Sequence, residues 1–535
     1  MDFQEKDKYA IEKNNNYLEM PNEPAADFET AIKAAGFGRF NILLLAVAFP
    51  AFMALVIETG VISYILPSAE CDLDLTLMDK GILNAITFCG MIVSAIAWAY
   101  LADTRGRKRL LVCCFLANVI CVICAAMSQS TLQLMIAKFF AGLIICGPFS
   151  VLVSYITEFH GSTHRPRILM VAGIMYATAS ILLPLLALLI LPNEWNFTIW
   201  NMKFTSWKVY LAVCGTPCIV GGLLLTLFPE TPRFLMTKGR NYEALEVFKT
   251  MYYINTRQPR DTFPIKELIN DANCQLNNIK SSTDLQTAES KENHKFDIES
   301  QSPQSSPLRD IFSKQYFWLT IRIFLLNFCI LLGQNTMRLW LPQLFASLNE
   351  YEQTSTEKTS MCTILEYSVN KTDSLINFNE ECIVVITPAT YSNNIVVAAI
   401  IIIAFLVAGT LINILGDKTM QVLAAAICGT CGLALYWSSS TLTTLIITSL
   451  YMSMASIATS SSVTTSVTVY PTTSRTIIVS SAMTCGRIGT ILGNLLFPML
   501  MSLGCIPPIV MFAAVMYLTS ILACTMPNIK KIDLK

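Results

Sequence analysis

The sequence predicts an all-α integral membrane protein with twelve transmembrane helices in two six-helix bundles. Three observations support this fold class. The chain has 535 residues and is 53% hydrophobic but only 14% charged, whereas an ordinary globular domain carries roughly 25% charged residues. Its apolar runs approach the roughly 20 residues that a helix needs to cross a bilayer. One long polar segment separates these runs into two groups of six, which indicates an internal duplication.

The twelve predicted spans alternate with short polar connections. They cover residues 40–66, 81–101, 110–128, 132–157, 168–192, 208–228, 318–346, 389–413, 419–438, 441–467, 477–503 and 507–526. The resulting divisions are an amino-terminal tail (1–38), a first bundle (39–228), a partly disordered linker (229–317), a second bundle (318–527) with an outer loop (347–388), and a tail (528–535). Leu245, Phe248 and Met251 recur at helical spacing, so the linker is predicted to contain an amphipathic helix.

Charges predict the orientation of the spans. If both termini are cytoplasmic, the basic clusters all fall on the cytoplasmic side. They are Arg105, Arg107, Lys108, Arg109, Arg165, Arg167, Arg233, Lys238, Arg240, Lys418, Arg475, Lys530 and Lys531. The opposite loops carry acids and the candidate glycosylation sites Asn196 and Asn370. We therefore expect a multi-pass protein of the plasma membrane or a vesicle membrane with both termini cytoplasmic. Residues 1–38 lack an apolar signal-peptide stretch, so the first span is expected to direct its own insertion.

The connection between spans 2 and 3 reads ADTRGRKR over residues 102–109. One interpretation is that its basic residues only anchor the helices beside anionic headgroups. The order Asp-x-x-Gly-Arg-Lys also resembles the loop between helices 2 and 3 of the major facilitator superfamily. That resemblance implies a cytoplasmic gate, in which Asp103, Arg107 and Lys108 hold helix ends together in one conformation and release them in another.

Other stretches resemble the synaptic vesicle glycoprotein 2 group of this superfamily, which is related to organic ion and sugar porters. They include ILPSAECDLDL (65–75), PETPRFL (229–235), RLWLPQLF (338–345) and VYPTTSRT (469–476). The resemblance covers about residues 40–526 and implies the major facilitator fold.

The resemblance also extends the predicted cytoplasmic gate to the ends of other spans. The additional gate residues are Glu158, Arg165, Glu230, Arg233, Asp417, Lys418 and Arg475. Glu230 and Arg233 can pair with the turn after span 4, where Glu158 and Arg165 lie. The second-half turn departs from the family pattern, because it keeps Asp417 and Lys418 but lacks the following Gly-Arg.

Ionisable side chains within the spans mark a candidate cavity for a substrate or ion. Such a residue costs roughly 2.5–3.5 kcal/mol on insertion scales and therefore usually faces a bundle interior. Glu58 and Arg487 are predicted to line a central cavity and to contact the solute or change protonation. The alternative is a static buried pair. Lys138, Arg338 and Trp340 are further candidates, although Lys138 and Arg338 can instead extend to the membrane surface.

Span 10 is unusually rich in hydroxyl side chains. Ser456, Ser460, Thr464 and Thr468 share one helical face and can hydrogen-bond a polar solute. The alternative is a flexible packing helix whose hydroxyls bond to their own backbone. In span 4, Gly142 and Gly147 predict close contact with a neighbouring helix.

The cysteines predict one disulfide and no metal site. Cys362 and Cys382 both lie in the outer loop, where an oxidising compartment favours a bond between them. The two Cys-x-x-Cys pairs lie in apolar spans without histidine partners, so packing is the preferred interpretation.

Enzyme activity is not predicted. The three histidines have no ligand or triad spacing, and the chain has no Gly-Lys-Ser/Thr nucleotide motif. Formal net charge is zero, so nucleic acid is not an expected partner. No cofactor is expected either.

Two functions remain after these exclusions. The first is a secondary active transporter of a small polar or charged organic solute by alternating access, with proton coupling as one option. It would act as a monomer in the lipid bilayer. The second is a non-transporting membrane binding or vesicle-trafficking protein on a transporter fold. Leu55 and Gln343 favour the second function, because the family has acids at these positions.

Overall fold

The computed structural model describes residues 25–193, 195–199, 202–269, 316–354, 360–366, 369, 387–470 and 475–526. These residues are almost entirely helical, and their long helices correspond to the twelve predicted spans. Eleven of the described helices are long and apolar enough to cross a membrane. The twelfth span, Arg475–Met501, is more polar because it contains Arg487 and Asn494. The helical membrane fold predicted from hydropathy is confirmed.

The first six spans extend slightly beyond their apolar cores. They are Arg39–Ala69, Leu77–Arg105, Arg107–Ala126, Thr131–Thr157, Arg165–Ile190, and a sixth span made of Ser206–Cys214 and Thr216–Thr226. Span 2 begins earlier than predicted because Thr76 and Asp79 form a reciprocal capping box. Before span 6, strands β1 (Asn196–Ile199) and β2 (Met202–Thr205) form an antiparallel hairpin that hydropathy did not predict.

The last six spans follow the same order. They are Phe317–Thr354, Pro388–Leu415, Asp417–Ala434 with the 3₁₀ turn Leu435–Trp437, Thr441–Val469, Arg475–Met501 and Ile506–Cys524. Span 7 continues to Thr354, past its predicted end at 346. The expected loop 347–388 therefore begins as helix, and residues 361–366 are helical as well.

Two tight turns show the duplication in the backbone. Gly106 links spans 2 and 3 with a φ of 99°, and Gly416 links spans 8 and 9 with a φ of 78°. Both values lie in the left-handed region that glycine adopts without strain. We call the membrane side of these two turns the turn side, and the opposite side, which carries the β1–β2 hairpin, the hairpin side.

Glycines let several spans approach closely. A Cβ atom on Gly142 of span 4 would collide with the backbone of Thr87 in span 2. A Cβ atom on Gly147 would lie 2.7 Å from the ring of Trp98. The predicted close contact of span 4 is therefore present. Gly489 and Gly493 bring span 11 against span 7 in the same way.

The described residues form two compact units. The smaller unit comprises residues 25–45, 155–168 and 229–269. The remaining described residues form the larger unit, which contains the greater part of each of the twelve spans. The smaller unit contains an amino-terminal helix, Phe28–Ala35, and two linker helices, Pro232–Thr237 and Asn241–Thr256. The last of these is the predicted amphipathic helix, and it buries Leu245, Phe248 and Met251.

Candidate functional site

Glu58 forms an ion pair with Lys138 inside the first half of the larger unit. The Lys138 ammonium nitrogen lies 2.6 Å from Glu58 Oε1, and the two side chains are 1% and 3% exposed. Asn118 donates to Glu58 Oε2 at 3.0 Å, so both carboxylate oxygens are occupied. This network joins spans 1, 3 and 4. Lys138 does not extend to the membrane surface, because a closer buried acid neutralises it.

Arg487 of span 11 does not form an ion pair with Glu58 in the described residues. Its guanidinium lies 3.3 Å from the Cys146 sulfur and 5.7 Å from the centroid of the Phe149 ring, and both residues belong to span 4. The alternative of a static buried pair between Glu58 and Arg487 is therefore wrong, whereas their role in lining a cavity stays a prediction. Arg487 instead reaches from the second half of the chain to the first half.

Arg338 of span 7 also reaches the first half. Its Nη2 lies 3.5 Å from the carbonyl oxygen of Thr59 in span 1, which is a long and weak hydrogen bond. Its Nε is buried and has no hydrogen-bond partner in the described part of the chain. Arg338 is therefore directed toward span 1, with one buried donor that the described residues leave unused.

Two adjacent amides of span 7, Gln334 and Asn335, lie one turn before Arg338. Gln334 donates to Ser456 Oγ at 3.0 Å and accepts from Thr459, both on span 10. Asn335 donates to Thr490 Oγ1 of span 11 at 2.8 Å. Both amides are only partly buried. Sequence reasoning missed them because it considered ionisable groups, although adjacent amides in an apolar helix are a detectable signal.

The predicted hydroxyl face of span 10 is divided in the structure. Ser456 is buried and bonds to Gln334, whereas Ser460, Thr464 and Thr468 are exposed. The hydroxyls of Thr464 and Thr468 donate to the backbone one turn earlier. Only Ser456 of this face joins the polar contacts of span 7.

Trp340 lies in an apolar cluster near the hairpin side. Its ring packs against Phe497 at 4.6 Å between centroids, and Phe497 in turn packs against Phe512. Trp340 is only 3% exposed. It therefore contributes to the core of the second half in this conformation.

The two halves touch near the hairpin side. Asn84 of span 2 donates to the Leu339 carbonyl of span 7 at 3.4 Å, and Tyr64 of span 1 lies 6.4 Å from Tyr391 of span 8 between ring centroids. A Cβ atom on Gly81 of span 2 would touch the Asn494 carbonyl of span 11. These contacts close the hairpin side of the interface between the halves.

The predicted gate residues of the first half lie at the turn side. Arg107 and Asp103 are 3.8 Å apart across the Gly106 turn, and Asp103 is 79% exposed. Lys108 donates to the Thr226 carbonyl at the end of span 6 at 2.9 Å. The turn therefore connects spans 2, 3 and 6.

Arg165, in the smaller unit, pairs with a residue that the sequence did not suggest. Its guanidinium lies 2.5 Å from Glu29 in the amino-terminal helix. Phe28 of the same helix lies 5.9 Å from the guanidinium carbon of Arg165 and 5.8 Å from that of Arg233. Partial burial raises the pKa of Glu29, but the Ser162 amide and Arg165 outweigh it, so the pKa lies below its ordinary value.

The other two acids of the predicted first-half gate are Glu158 and Glu230. Glu230 accepts from the amide of Thr231, and Glu158 is buried at 8% exposure. In the second half, Asp417 accepts from the Thr465 hydroxyl at 3.0 Å and Lys418 donates to the Met526 carbonyl at 2.6 Å. The side chain of Arg475 lies outside the described residues.

The turn glycines explain why the second-half gate is incomplete. Asp417 directly follows Gly416 and begins span 9, just as Arg107 follows Gly106 and begins span 3. An acid thus occupies the place of a base, so the arrangement of Asp103 and Arg107 is not repeated.

The disulfide differs from the prediction. Cys362 is bonded to Cys505, in the connection between spans 11 and 12, with 5.0 Å between their Cα atoms. The expected bond to Cys382 is therefore wrong, because the fold places a more distant cysteine beside the helical segment 361–366. Cys71 is also disulfide-bonded. Asn196 is exposed at the start of β1, whereas Asn370 and Cys382 lie outside the described residues.

Comparisons with known proteins agree with this architecture. Residues 44–365 match the sequence profile of the Major Facilitator Superfamily. Human synaptic vesicle glycoprotein 2B is 32% identical over 256 residues, which are 47% of this chain and 38% of that protein. Mouse synaptic vesicle glycoprotein 2C is 32% identical over 46% of this chain and 34% of its own length. The chain thus matches less than half of the length of these relatives.

Solved structures show the same fold. The crystal structure of a D-xylose–proton symporter has a TM-score of 0.64 and 14% identity, covering 92% of this chain and 98% of its own. The xylose transporter XylE from E. coli, in a partially occluded inward-open conformation, has a TM-score of 0.62 and 15% identity over 92% of this chain and 100% of its own. The match to the Major Facilitator Superfamily profile, over residues 44–365, covers more than half of the chain. The chain therefore belongs to the major facilitator superfamily.

Proposed function

We propose that the protein is a secondary active transporter of a small polar or charged organic solute that works by alternating access. The observation that carries this proposal is the set of polar side chains within spans 7 and 11, of which Arg338 and Arg487 contact the first half. Gln334, Asn335, Arg338 and Arg487 are all partly buried rather than enclosed. Polar groups within membrane spans are costly unless they line a cavity or meet a partner, so a polar solute is a suitable occupant.

The contacts between the halves support a rocking mechanism. The halves meet on the hairpin side through Tyr64, Asn84 and their partners. The charged turn around Gly106 lies on the other side and is the proposed gate. In this proposal the turn side is cytoplasmic, as the basic clusters favour, and the protein resides in the plasma membrane or a vesicle membrane.

Proton coupling is assigned to Glu58. It is the only acidic residue outside the terminal two turns of any span, and it already holds Lys138 and Asn118. Protonation of Glu58 would release Lys138 and alter the contacts among spans 1, 3 and 4. One structural neighbour is, by its title, a D-xylose–proton symporter.

A second candidate function is a non-transporting membrane binding or trafficking protein. The observation that favours it is the altered second-half gate, where Asp417 bonds to Thr465 and Lys418 to a backbone carbonyl. A protein that no longer alternates can dispense with a gate of this kind.

Vesicles reconstituted with the purified full-length chain distinguish the two functions. Uptake of labelled organic cations, organic anions and sugars is measured with and without an inward proton gradient, against protein-free vesicles. Uptake of any class above that background supports transport. If no class enters, the non-transporting function is favoured. Uptake that keeps its pH dependence in Glu58→Gln would remove the role of Glu58.

A further inference from the structure

We infer that the solute is an organic anion that carries a carboxylate, sulfate or phosphate group. This inference rests on the proposed function and narrows its substrate class. It starts from the balance of charge within the membrane. Outside the first two and last two turns of every span, the sequence places one acid, Glu58, and three bases, Lys138, Arg338 and Arg487.

The single acid is already neutralised. Glu58 and Lys138 are 2.6 Å apart and almost fully buried within the first half. The remaining two positive charges are Arg338 and Arg487. Among the ion pairs of the described residues, none joins either guanidinium to a carboxylate. Within the described residues, the interior therefore carries two positive charges that no carboxylate neutralises.

Both arginines are directed toward the interface between the halves. Arg338 approaches the Thr59 carbonyl of span 1 at 3.5 Å, and Arg487 approaches Cys146 of span 4 at 3.3 Å. A backbone carbonyl at this distance and a thiol are weak acceptors for a guanidinium, which has five N–H donors. In addition, Arg338 Nε is buried without a partner. The weak acceptors and this one unused donor indicate that an acceptor from outside the chain completes the site.

The two guanidinium groups frame the amides of span 7. Asn335 bonds to Thr490, which places these two residues at the same level of the membrane. Arg338 is three residues beyond Asn335, and Arg487 is three residues before Thr490. Spans 7 and 11 run in the same direction, so the Cα atoms of Arg338 and Arg487 are separated by six residues, or about 9 Å along the helix axes at 1.5 Å per residue. An anionic group can bind at either end, and Gln334 and Asn335 can hydrogen-bond the rest of the solute.

The chemistry of the arginines favours an oxyanion over other acceptors. A guanidinium binds the two oxygens of a carboxylate, sulfate or phosphate with parallel hydrogen bonds, and charge-assisted bonds of this kind are about twice as strong as neutral ones. A cationic solute would instead add to an interior that is already positive. A neutral sugar would leave both charges uncompensated.

The test compares five probes of similar size on the purified full-length chain. Benzoate, phenyl sulfate and phenyl phosphate are anionic, benzamide is neutral and benzylammonium is cationic. Binding is measured by calorimetry. We expect at least one of the three anions to bind, and we expect benzamide and benzylammonium not to bind. Arg338→Gln and Arg487→Gln should each weaken anion binding on the order of 10- to 100-fold, as expected for a lost charged hydrogen bond.

Arg322→Gln is the matched control. Arg322 lies on the same span 7, but it is exposed and donates to the Thr525 carbonyl near the turn side. This variant should bind the anions as the unaltered chain does. If a glutamine variant does not fold, two other measurements are used. They are anion binding to Arg487→Lys and protection of the two arginines from chemical modification in the unaltered chain. Protection is measured by mass spectrometry as slower phenylglyoxal modification of Arg338 and Arg487 when the anion is bound.

The outcomes separate this inference from the proposed function. Benzamide or benzylammonium binding as tightly as the anions, binding of none of the five probes, or unchanged affinity in both glutamine variants would each overturn the anion inference. Anion binding without uptake into vesicles would support it and remove the proposed transport. Uptake of benzylammonium or xylose without uptake of any anion would retain transport and overturn the inference.

Discussion

The ammonium group of Lys138 lies 2.6 Å from the Glu58 carboxylate, and neither side chain is more than 3% exposed. Spans 1 and 4 are thus joined by a buried ion pair whose two members are 80 residues apart. Such a pair contributes little net stability when intact, but the loss of one member leaves a buried charge without its partner.

Glu58→Gln should therefore destabilise the protein by about 3–5 kcal/mol, the range for breaking a buried pair. The double variant Glu58→Gln/Lys138→Met should recover much of this loss, because it removes the unpaired ammonium. Thermal unfolding in detergent measures both. Glu243→Gln is the control, because Glu243 is 51% exposed and its pair with Arg240 is at the surface. Equal losses in the single and double variants would contradict the role of the pair.

Gly142→Ala should weaken the packing of spans 2 and 4. The added Cβ atom would overlap the backbone of Thr87, and overpacking of this kind costs about 1–3 kcal/mol. Gly173→Ala in span 5 is the matched control, since a Cβ atom there meets nothing within 4 Å. The measurement is the difference in unfolding temperature between the variants. An effect of equal size at both glycines would show that helix propensity, rather than contact, dominates.

Peptide mapping without reduction should recover a fragment that joins Cys362 to Cys505. The fragment should persist in Cys382→Ser and disappear in Cys362→Ser, which frees the Cys505 thiol for labelling by maleimide. Loss of the bond should lower stability by about 2–4 kcal/mol, the usual range for a disulfide. Recovery of a peptide joining Cys362 to Cys382 in the unaltered chain would instead support the pairing expected from the sequence.

Residues 155–168 should become less protected from hydrogen exchange as the pH falls below 6.5. Burial lowers the pKa of His160 below its ordinary value of 6.5, and the neighbouring His164 and Arg165 lower it further, although its bond to the Ile156 carbonyl opposes them. The unfolded chain therefore takes up a proton before the folded chain does. Stability from this group is complete above pH 6.5 and falls as the pH drops below that value.

The exchange measurement compares pH 7.5 with pH 5.5 after correction for intrinsic exchange rates. His160→Gln should lose the pH-dependent part of the change, because it removes the titrating ring. A decrease of the same size in that variant would assign the effect to another group of the smaller unit, such as His164.

Local sequence predicted most of the spans, because hydropathy and length decide which segments leave water. Two of the three exceptions are explained by interactions that hydropathy does not measure. Span 2 begins early because of the Thr76 cap, and the β1–β2 hairpin is held by cross-strand pairing. Span 7 continues to Thr354 although its last turns are polar.

The candidate site was predicted only in part. Glu58, Lys138, Arg338 and Arg487 were recognised because charge within a span is costly. Their partners were not predicted, since Lys138 forms an ion pair with Glu58 while Arg487 contacts span 4. Gln334 and Asn335 were overlooked because neutral amides change hydropathy little compared with ionised groups.

The sequence by itself determined that this chain forms two sets of six membrane helices and which charged residues lie within them. It did so because the free energy of leaving water is a property of each segment. Only the tertiary structure decided which of these charges are neutralised, that Cys362 meets Cys505, and that Arg165 meets Glu29. Those pairings depend on the rotation and packing of helices that are distant in sequence, which no local pattern specifies.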